Sequence, residues 1–214
     1  MTELFDAIRS GDAAAVHSLL DSDPGLLAGR QNNVSAVMWA IYNGRKEIAR
    51  LLVQRGADVS FHEACALGDA ERVAAMLEAD ASLLDAKSPD GFPGVGLAIF
   101  FGHPGIARLL IERGADVAMP ADNAQRVAPV HAAAAACDRE TMLLLLERGA
   151  DPNARQQMDY TALHGAASRG DVEMAKMLID RGADRAARGS DGKTVAEVAV
   201  EHGHPEFAAW LSAN

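Results

Sequence analysis

Seven histidines and two cysteines are the side chains of this sequence whose nitrogen and sulfur atoms could bind a transition metal or take part in catalysis. A metal or a small ligand would need several of them to meet, and His131, Cys137, His164 and His202 are the set considered. No glycine-rich phosphate loop, paired-cysteine zinc pattern or nucleophile elbow accompanies them. We therefore expect no metal, no cofactor and no catalytic residue, and we keep a ligand- or metal-responsive sensor built on these histidines as the alternative function.

The two cysteines and the amino-terminal residues indicate in which cellular compartment the protein is expected. Cys65 and Cys137 do not make a disulfide framework in a chain of 214 residues, so we expect both to be buried, inert thiols in a reducing compartment. The amino terminus has no apolar run of signal-peptide length, and stretches such as Met142–Leu146 are far shorter than the ~20 residues that span a bilayer. These features favour a cytoplasmic protein, although a leader removed from the mature chain would leave no trace here.

The amino-acid composition limits the fold classes and the kinds of partner that the chain can be expected to have. Apolar residues make up 49% of the chain but aromatic residues only 5%, so the core must be filled by Ala, Leu, Ile and Val, as in closely stacked helices. A formal charge of −10 argues against nucleic acid and anionic membranes as partners and favours a basic or neutral one. High Ala and Arg content with few lysines favours a GC-rich bacterial source.

Two markers recur along the chain and reveal internal repeats. The tripeptide Gly-Ala-Asp follows an apolar segment four times, at Gly56, Gly114, Gly149 and Gly182. A turn residue precedes each repeat's second apolar segment with spacings of 33, 24, 34, 35, 33 and 33, at Gly11, Gly44, Gly68, Gly102, Cys137, Gly170 and Gly203. These intervals predict seven units.

The elements of one unit follow from its residues. Thr161 can cap a helix over residues 162–169, which Gly170 ends because glycine adopts the left-handed conformation at little cost. A second helix follows from Asp171, with apolar residues at helical spacing, and Gly182 stops it. The residues between units are polar and rich in turn formers, which predicts hairpin loops.

The segment from Tyr160 to Asp171, followed by Leu178 to Asp184, resembles the ankyrin repeat, with its Thr-Pro-Leu-His start and Gly-Ala-Asp end. The resemblance covers nearly the whole chain. It implies an all-α protein, an ankyrin-type solenoid of stacked helix-turn-helix repeats with short hairpin loops. We expect one domain over 1–214, with units at about 2–30, 31–60, 61–86, 87–118, 119–154, 155–187 and 188–214.

Two units depart from this pattern. The first and third lack the Gly-Ala-Asp stop, and Asp58 lies only 10 residues before Gly68, against 19 from Asp151 to Gly170. The missing residues fall where a hairpin should be, so we expect one hairpin to be absent from the row.

The resemblance also implies roles for the remaining histidines. His62, His131 and His164 are placed at the histidine position of the Thr-Pro-Leu-His motif, where the ring hydrogen-bonds backbone of a neighbouring loop. His103 and His204 precede prolines at the start of second helices and are interpreted as caps.

Ankyrin proteins bind partner proteins with their hairpin tips and the exposed side of the first helices, so the resemblance implies a concave binding face. The residues assigned to partner binding on this basis are Tyr42, Asn43, Leu67, Phe92, Phe100, Phe101, Met158, Tyr160, Ser168 and Arg169. Five of the chain's ten aromatic residues gather there, as an interaction hot spot would.

Packing and self-association stay open as alternative roles for these aromatics. Phe100 or Phe101 would fill space left by Gly94 and Gly96, with Phe92 covering the short third unit, or the patch would join two copies of the chain. A hydrolase or hydroxylase site in the third and fourth units ranks last, because the residues there are apolar. The sequence therefore predicts a non-enzymatic protein-interaction module for an unidentified protein partner, with no nucleic acid and no membrane partner.

Overall fold

The computed structural model describes residues 2–213, which form seven consecutive pairs of α-helices. The predicted all-α solenoid is confirmed. The helices are α1 Thr2–Ser10, α2 Ala13–Ser22, α3 Ala36–Tyr42, α4 Lys46–Gln54, α5 Phe61–Leu67, α6 Ala70–Ala79, α7 Gly94–Phe100, α8 Pro104–Glu112, α9 Pro129–Ala136, α10 Arg139–Glu147, α11 Ala162–Arg169, α12 Val172–Asp180, α13 Val195–Glu201 and α14 Pro205–Ala213.

Each pair turns at a left-handed residue, and an aspartate side chain caps the second helix in four of the pairs, at α2, α6, α10 and α12. Gly170 has a φ of 66° after α11, as predicted, and the Asp171 side chain then accepts the Met174 N–H at the start of α12. Cys137 adopts the same left-handed conformation, with a φ of 54°. The expectation of two buried thiols is therefore wrong for Cys137, because this inter-helix turn leaves its side chain exposed, whereas Cys65 is buried.

The stacking of the pairs gives the array its curvature. The first helices of successive pairs (α1, α3, α5, α7, α9, α11 and α13) pack more closely on one another than the second helices do. Small side chains permit this close approach, and Ala133, Ala134, Ala166 and Ala167 are almost fully buried between first helices. The first helices consequently lie on the inner, concave side.

The hairpins form a row along one edge of the stack. Strands β1 Arg30–Gln31 and β2 Val34–Ser35 pair in the first of them. The later loops are joined by backbone hydrogen bonds from Asp122 N–H to Gly91 O, Gln157 N–H to Gln125 O and Ser190 N–H to Met158 O, at 2.7, 2.8 and 2.8 Å. These bonds fix the spacing of neighbouring loop tips.

The row is interrupted between the second and third pairs. Helix α4 ends at Gln54 and α5 begins at Phe61, so the intervening residues connect the helices directly, without the hairpin loop that precedes α3, α7, α9, α11 and α13. At the same place the hydrophobic core divides into two clusters, one over residues 4–57 with Ala66 and Leu97, the other over residues 59–211. Helices α3 and α5 also pack less closely than other neighbouring first helices.

Three histidines, at positions 62, 103 and 131, hydrogen-bond the backbone of a neighbouring unit. Nε2 of His62 and of His131 lies 2.9 Å from the carbonyl oxygens of Ala86 and Ala154, as the resemblance implied. His62 was placed one residue off, however: counted from the cap Ser60, the third helical residue is Glu63, the position that His131 holds in α9.

His103 holds the N-cap position of α8, as interpreted. Its side chain makes no capping hydrogen bond in α8 but reaches the Ala66 carbonyl of the preceding pair, with Nε2 at 3.0 Å. His204 similarly lies over Gly170, where an added Cβ would come within 2.5 Å of its Nδ1. Both rings therefore tie one pair to the next.

The divided core should unfold in two parts. Leu52→Ala and Leu163→Ala each remove a fully buried side chain, one from each cluster, at a local cost of about 2–5 kcal/mol. Native-state hydrogen exchange should show faster exchange in α1–α4 for Leu52→Ala and in α9–α12 for Leu163→Ala. Equal acceleration along the whole chain in both variants would show that the clusters unfold as one unit.

Candidate functional site

A groove of about 700 Å³ opens on the concave side, between the first helices and the hairpin tips. It brings together six of the ten residues that the sequence assigned to partner binding: Tyr42, Phe92, Phe100, Phe101, Met158 and Tyr160. The remaining lining is contributed by Asp90, Gly96, Leu97, Gln125, Val127, Ala132, Gln156 and Gln157.

Three rings form the amino-terminal wall of the groove. Phe101 packs against Tyr42 with ring centroids 6.0 Å apart and against Phe100 edge-on at 5.1 Å. Phe101 is half-buried and packs on the first core cluster, as Phe92 does. Phe100 differs, because 61% of its surface is exposed. Burying such a ring against a partner would contribute about 1.5–3 kcal/mol.

A packing role fits some of these aromatics and not others. Phe92 and Phe101 do contribute to packing beside the short third unit. The space beside Gly94, however, is occupied by Phe61 of the preceding pair, whose ring would lie 2.8 Å from an added Cβ. Phe100 contacts the Phe101 ring, but it does not fill the space beside Gly94 and 61% of its surface stays exposed.

The Tyr42 side chain bridges the break in the hairpin row. Its O–H donates to Oδ2 of Asp90, on the hairpin before α7, and the Ser88 hydroxyl donates to Oδ1 of the same carboxylate. A hairpin before α5 would stand between Tyr42 and Asp90. Burial, followed by the hydrogen bond and the charge of Asp90, raises the pKa of Tyr42 well above its usual value, so the hydroxyl remains a donor.

The far end of the groove is built from the sixth unit. The Tyr160 ring stacks on His164 with centroids 4.8 Å apart, and its O–H donates to Asp191 at 2.9 Å. Gly189 makes room for it, because an added Cβ would lie 2.2 Å from the ring. Met158 stands at the loop tip with a φ of 61° and 48% of its surface exposed, a strained presentation that functional sites often use.

Two polar residues that line the far end of the groove, Gln156 and Gln157, were not among the residues predicted to bind a partner. Gln156 and Gln157 lie in a loop whose turn is made by Met158 and Asp159 at positive φ rather than by glycine. Because no glycine marks this turn in the sequence, the side chains that face the groove could not be identified from it. Asp90 and Gln125, by contrast, lie at hairpin positions where the resemblance to ankyrin repeats implied binding, and both line the groove.

Four predicted residues do not line the groove. Leu67 instead contributes to a smaller groove of about 350 Å³ between α4 and the carboxyl end of α5. The Asn43 amide donates to the Trp39 carbonyl oxygen, and the Ser168 hydroxyl to the Gly165 carbonyl oxygen, so both serve their own helix ends. Arg169 is exposed to solvent and does not line the groove.

The histidine sensor finds no support in this arrangement. The His131 ring is engaged on both sides, since Nδ1 accepts from Ala128 N–H and Nε2 bonds Ala154 O. Burial lowers the pKa of His131 and of His164. Over residues 2–213, no group of three or more His, Cys, Asp or Glu side chains is placed to hold a metal ion. Within the same residues, no helix has the length and apolar character to cross a membrane.

Comparison with known families agrees with the fold. Residues 61–156 and 130–214 match the family described as ankyrin repeats in three copies, and residues 32–61 match the single ankyrin repeat. These matches cover more than half of the chain. The protein belongs to the ankyrin repeat family.

Two curated proteins show similarity over part of their length. The E3 ubiquitin-protein ligase KEG of Arabidopsis thaliana is 32% identical over 122 residues, 56% of this chain and 8% of that protein. The putative palmitoyltransferase ZDHHC13 of Danio rerio is 25% identical over 206 residues, 75% of this chain and 32% of that protein. The chain thus spans less than a third of either relative.

The Tyr42 bridge can be tested by titration in a Tyr160→Phe variant, which leaves Tyr42 as the sole tyrosine. Because the pKa is raised in the folded state, its contribution to stability is present below the ordinary value of 10.0 and is lost as pH rises above it. Tyrosinate absorbance should therefore be absent near that pH and appear only with alkaline unfolding.

Adding Asp90→Asn should lower the Tyr42 pKa without restoring the ordinary value, because burial is the larger cause. Circular dichroism at each pH separates titration of the folded chain from unfolding. Ionisation of Tyr42 at its ordinary value in the folded chain would contradict the bridge.

Proposed function

We propose that this protein is a non-catalytic interaction module that binds a partner protein in the concave groove. The observation that carries this proposal is the exposure of Phe100 in the middle of an apolar, aromatic-lined depression. Exposed aromatic rings beside half-buried ones resemble the anchors that dominate protein interfaces. Membership of a family of interaction modules supports the same role.

The shape of the site favours binding over catalysis. The groove is open and lined mainly by apolar side chains, with one carboxylate and three glutamine amides. The Ser88 hydroxyl that donates to Asp90 is buried and does not line the groove, so it is not presented to a substrate there. The ligase and transferase names of the two relatives describe proteins of which this chain matches a minor part. We therefore assign it neither activity, and the composition favours a bacterial cytoplasmic setting.

Phe100→Asp is the substitution that tests the proposal. The ring is 61% exposed, so the variant should fold normally, whereas Phe101 is half-buried and a charge there would disturb the core. Leu143→Asp is the matched control, because Leu143 is 39% exposed on α10, a second helix outside the groove.

Immobilised wild-type protein and the Leu143→Asp variant should retain the same protein from a lysate of the source cell, and Phe100→Asp should lose it by about tenfold or more. Light scattering of each purified chain shows whether the retained protein is a second copy of this one. Equal retention by Phe100→Asp and wild type would place the binding surface elsewhere.

A further inference from the structure

We propose that the occupant of the groove is an extended peptide segment of the partner, with an arginine or lysine side chain against Asp90 and an apolar side chain against Phe100 and Phe101. This inference rests on the proposed function and specifies the chemistry of its partner. Three features of the groove carry it: an uncompensated carboxylate, aromatic rings beside that carboxylate, and a line of amide side chains.

Among the residues that the structure describes, Asp90 is the only charged one that lines the groove. Its oxygens accept hydrogen bonds from the neutral hydroxyls of Tyr42 and Ser88, and none of the ion pairs found over residues 2–213 includes it. His62 lies within electrostatic range, but burial lowers its pKa, so the ring is neutral at pH 7. A half-buried negative charge therefore faces the groove with no described cation at ion-pair distance, although Arg30 lines a small neighbouring pocket together with Asp90.

In the other tyrosine–aspartate pair of this chain, a lysine lies close enough to balance the charge of the carboxylate. Tyr160 donates to Asp191, as Tyr42 does to Asp90, but Lys193 lies 3.7 Å from the Asp191 carboxylate and also pairs with Glu201 at 2.6 Å. Asp191 does not line the groove. The two pairs share their donor and acceptor types, and only the Asp191 carboxylate has a cation at ion-pair distance. The pair that lacks an ion-paired cation is the one whose carboxylate lines the groove.

The rings next to Asp90 suit a cationic side chain. Tyr42 donates a hydrogen bond to Asp90. The Phe101 ring lies 6.0 Å from the Tyr42 ring, and the Phe100 ring lies 5.1 Å from the Phe101 ring, measured between centroids. Aromatic faces attract guanidinium and ammonium groups, and the aliphatic stem of Arg or Lys packs on apolar rings. The formal charge of −10 on the whole chain would also speed the approach of a basic segment.

Amide side chains supply the remaining contacts. Gln125, Gln156 and Gln157 line the groove on the loop side, and the backbone bond between Gln157 and Gln125 holds two of these loops in register. Each amide can donate to a carbonyl oxygen and accept from an N–H. A row of such groups fits the unpaired backbone of an extended segment rather than a helix, whose backbone groups are already paired.

The test uses a displayed library of random twelve-residue peptides, selected on the full-length wild-type chain. The selected peptides should be enriched in Arg or Lys next to an aromatic or aliphatic residue. Binding of a fluorescent copy of one selected peptide is then measured by anisotropy, with wild type and with Asp90→Asn. The substitution should weaken binding by about tenfold and remove most of its salt dependence.

Two further variants separate charge from structure. Glu78→Gln removes the same charge from an exposed position on α6 and should bind within about twofold of wild type. Tyr42→Phe removes the bridge but keeps the carboxylate, so it should retain the preference for basic peptides. Thermal melting of each variant shows that the comparison is made between folded chains.

Each contrary outcome has a distinct meaning. Selected peptides without basic residues, or equal binding by Asp90→Asn, would overturn the inference and leave the groove as a docking surface for other chemistry. Selected peptides that bind Phe100→Asp as tightly as wild type would show that the groove is not the docking surface, which overturns the proposed function as well. If no peptide is enriched, a single extended segment is not the occupant and the inference is wrong.

Discussion

The direct connection between α4 and α5 is the constraint on which the site depends. Every other hairpin is held beside its neighbour by the stacking of the first helices, whereas here the row has a break. Across that break, Asp90 reaches Tyr42 of the second pair. The bridge joins elements 48 residues apart in sequence and sets one wall of the concave groove.

The same connection weakens the packing between the second and third helix pairs. With no hairpin between them, α3 and α5 pack less closely than other neighbours, and the core separates into two clusters at this point. In a stack of repeats, stability is approximately a sum of each unit and its interface with the next. The Tyr42–Asp90 bond and the half-buried Phe92 and Phe101, which pack on the first cluster, offset part of the loss at the weakest interface.

The repeat architecture was readable from the sequence because local chemistry determines it. The left-handed turn at Gly170 and the cap at Asp171 fix helix ends within one residue, and the boundaries predicted for α11 match those of the structure. The short spacing from Asp58 to Gly68 also revealed the missing hairpin. These signals act over a few residues, so a single sequence contains them.

The site was only partly readable, because its members meet through the stacking of units. Adjacent Phe100 and Phe101 look alike in sequence, yet one is exposed and the other supports the core. Gln156 and Gln157 face the groove because of a loop turn that has no glycine to mark it. The shift of His62 by one residue has a different origin, since Ser60 and Glu63 form a capping box whose Ser-x-x-Glu spacing in the sequence already places Glu63 third in α5.

Site-specific photo-crosslinking tests directly whether a partner protein binds in the concave aromatic groove. A photoreactive phenylalanine analogue is placed at position 100, inside the groove, and in a second chain at position 143, on the opposite helix layer. We expect the partner retained by the wild-type chain to crosslink from position 100 and not from position 143. Crosslinking from position 143 alone would contradict binding in the groove and place the partner on the second helices.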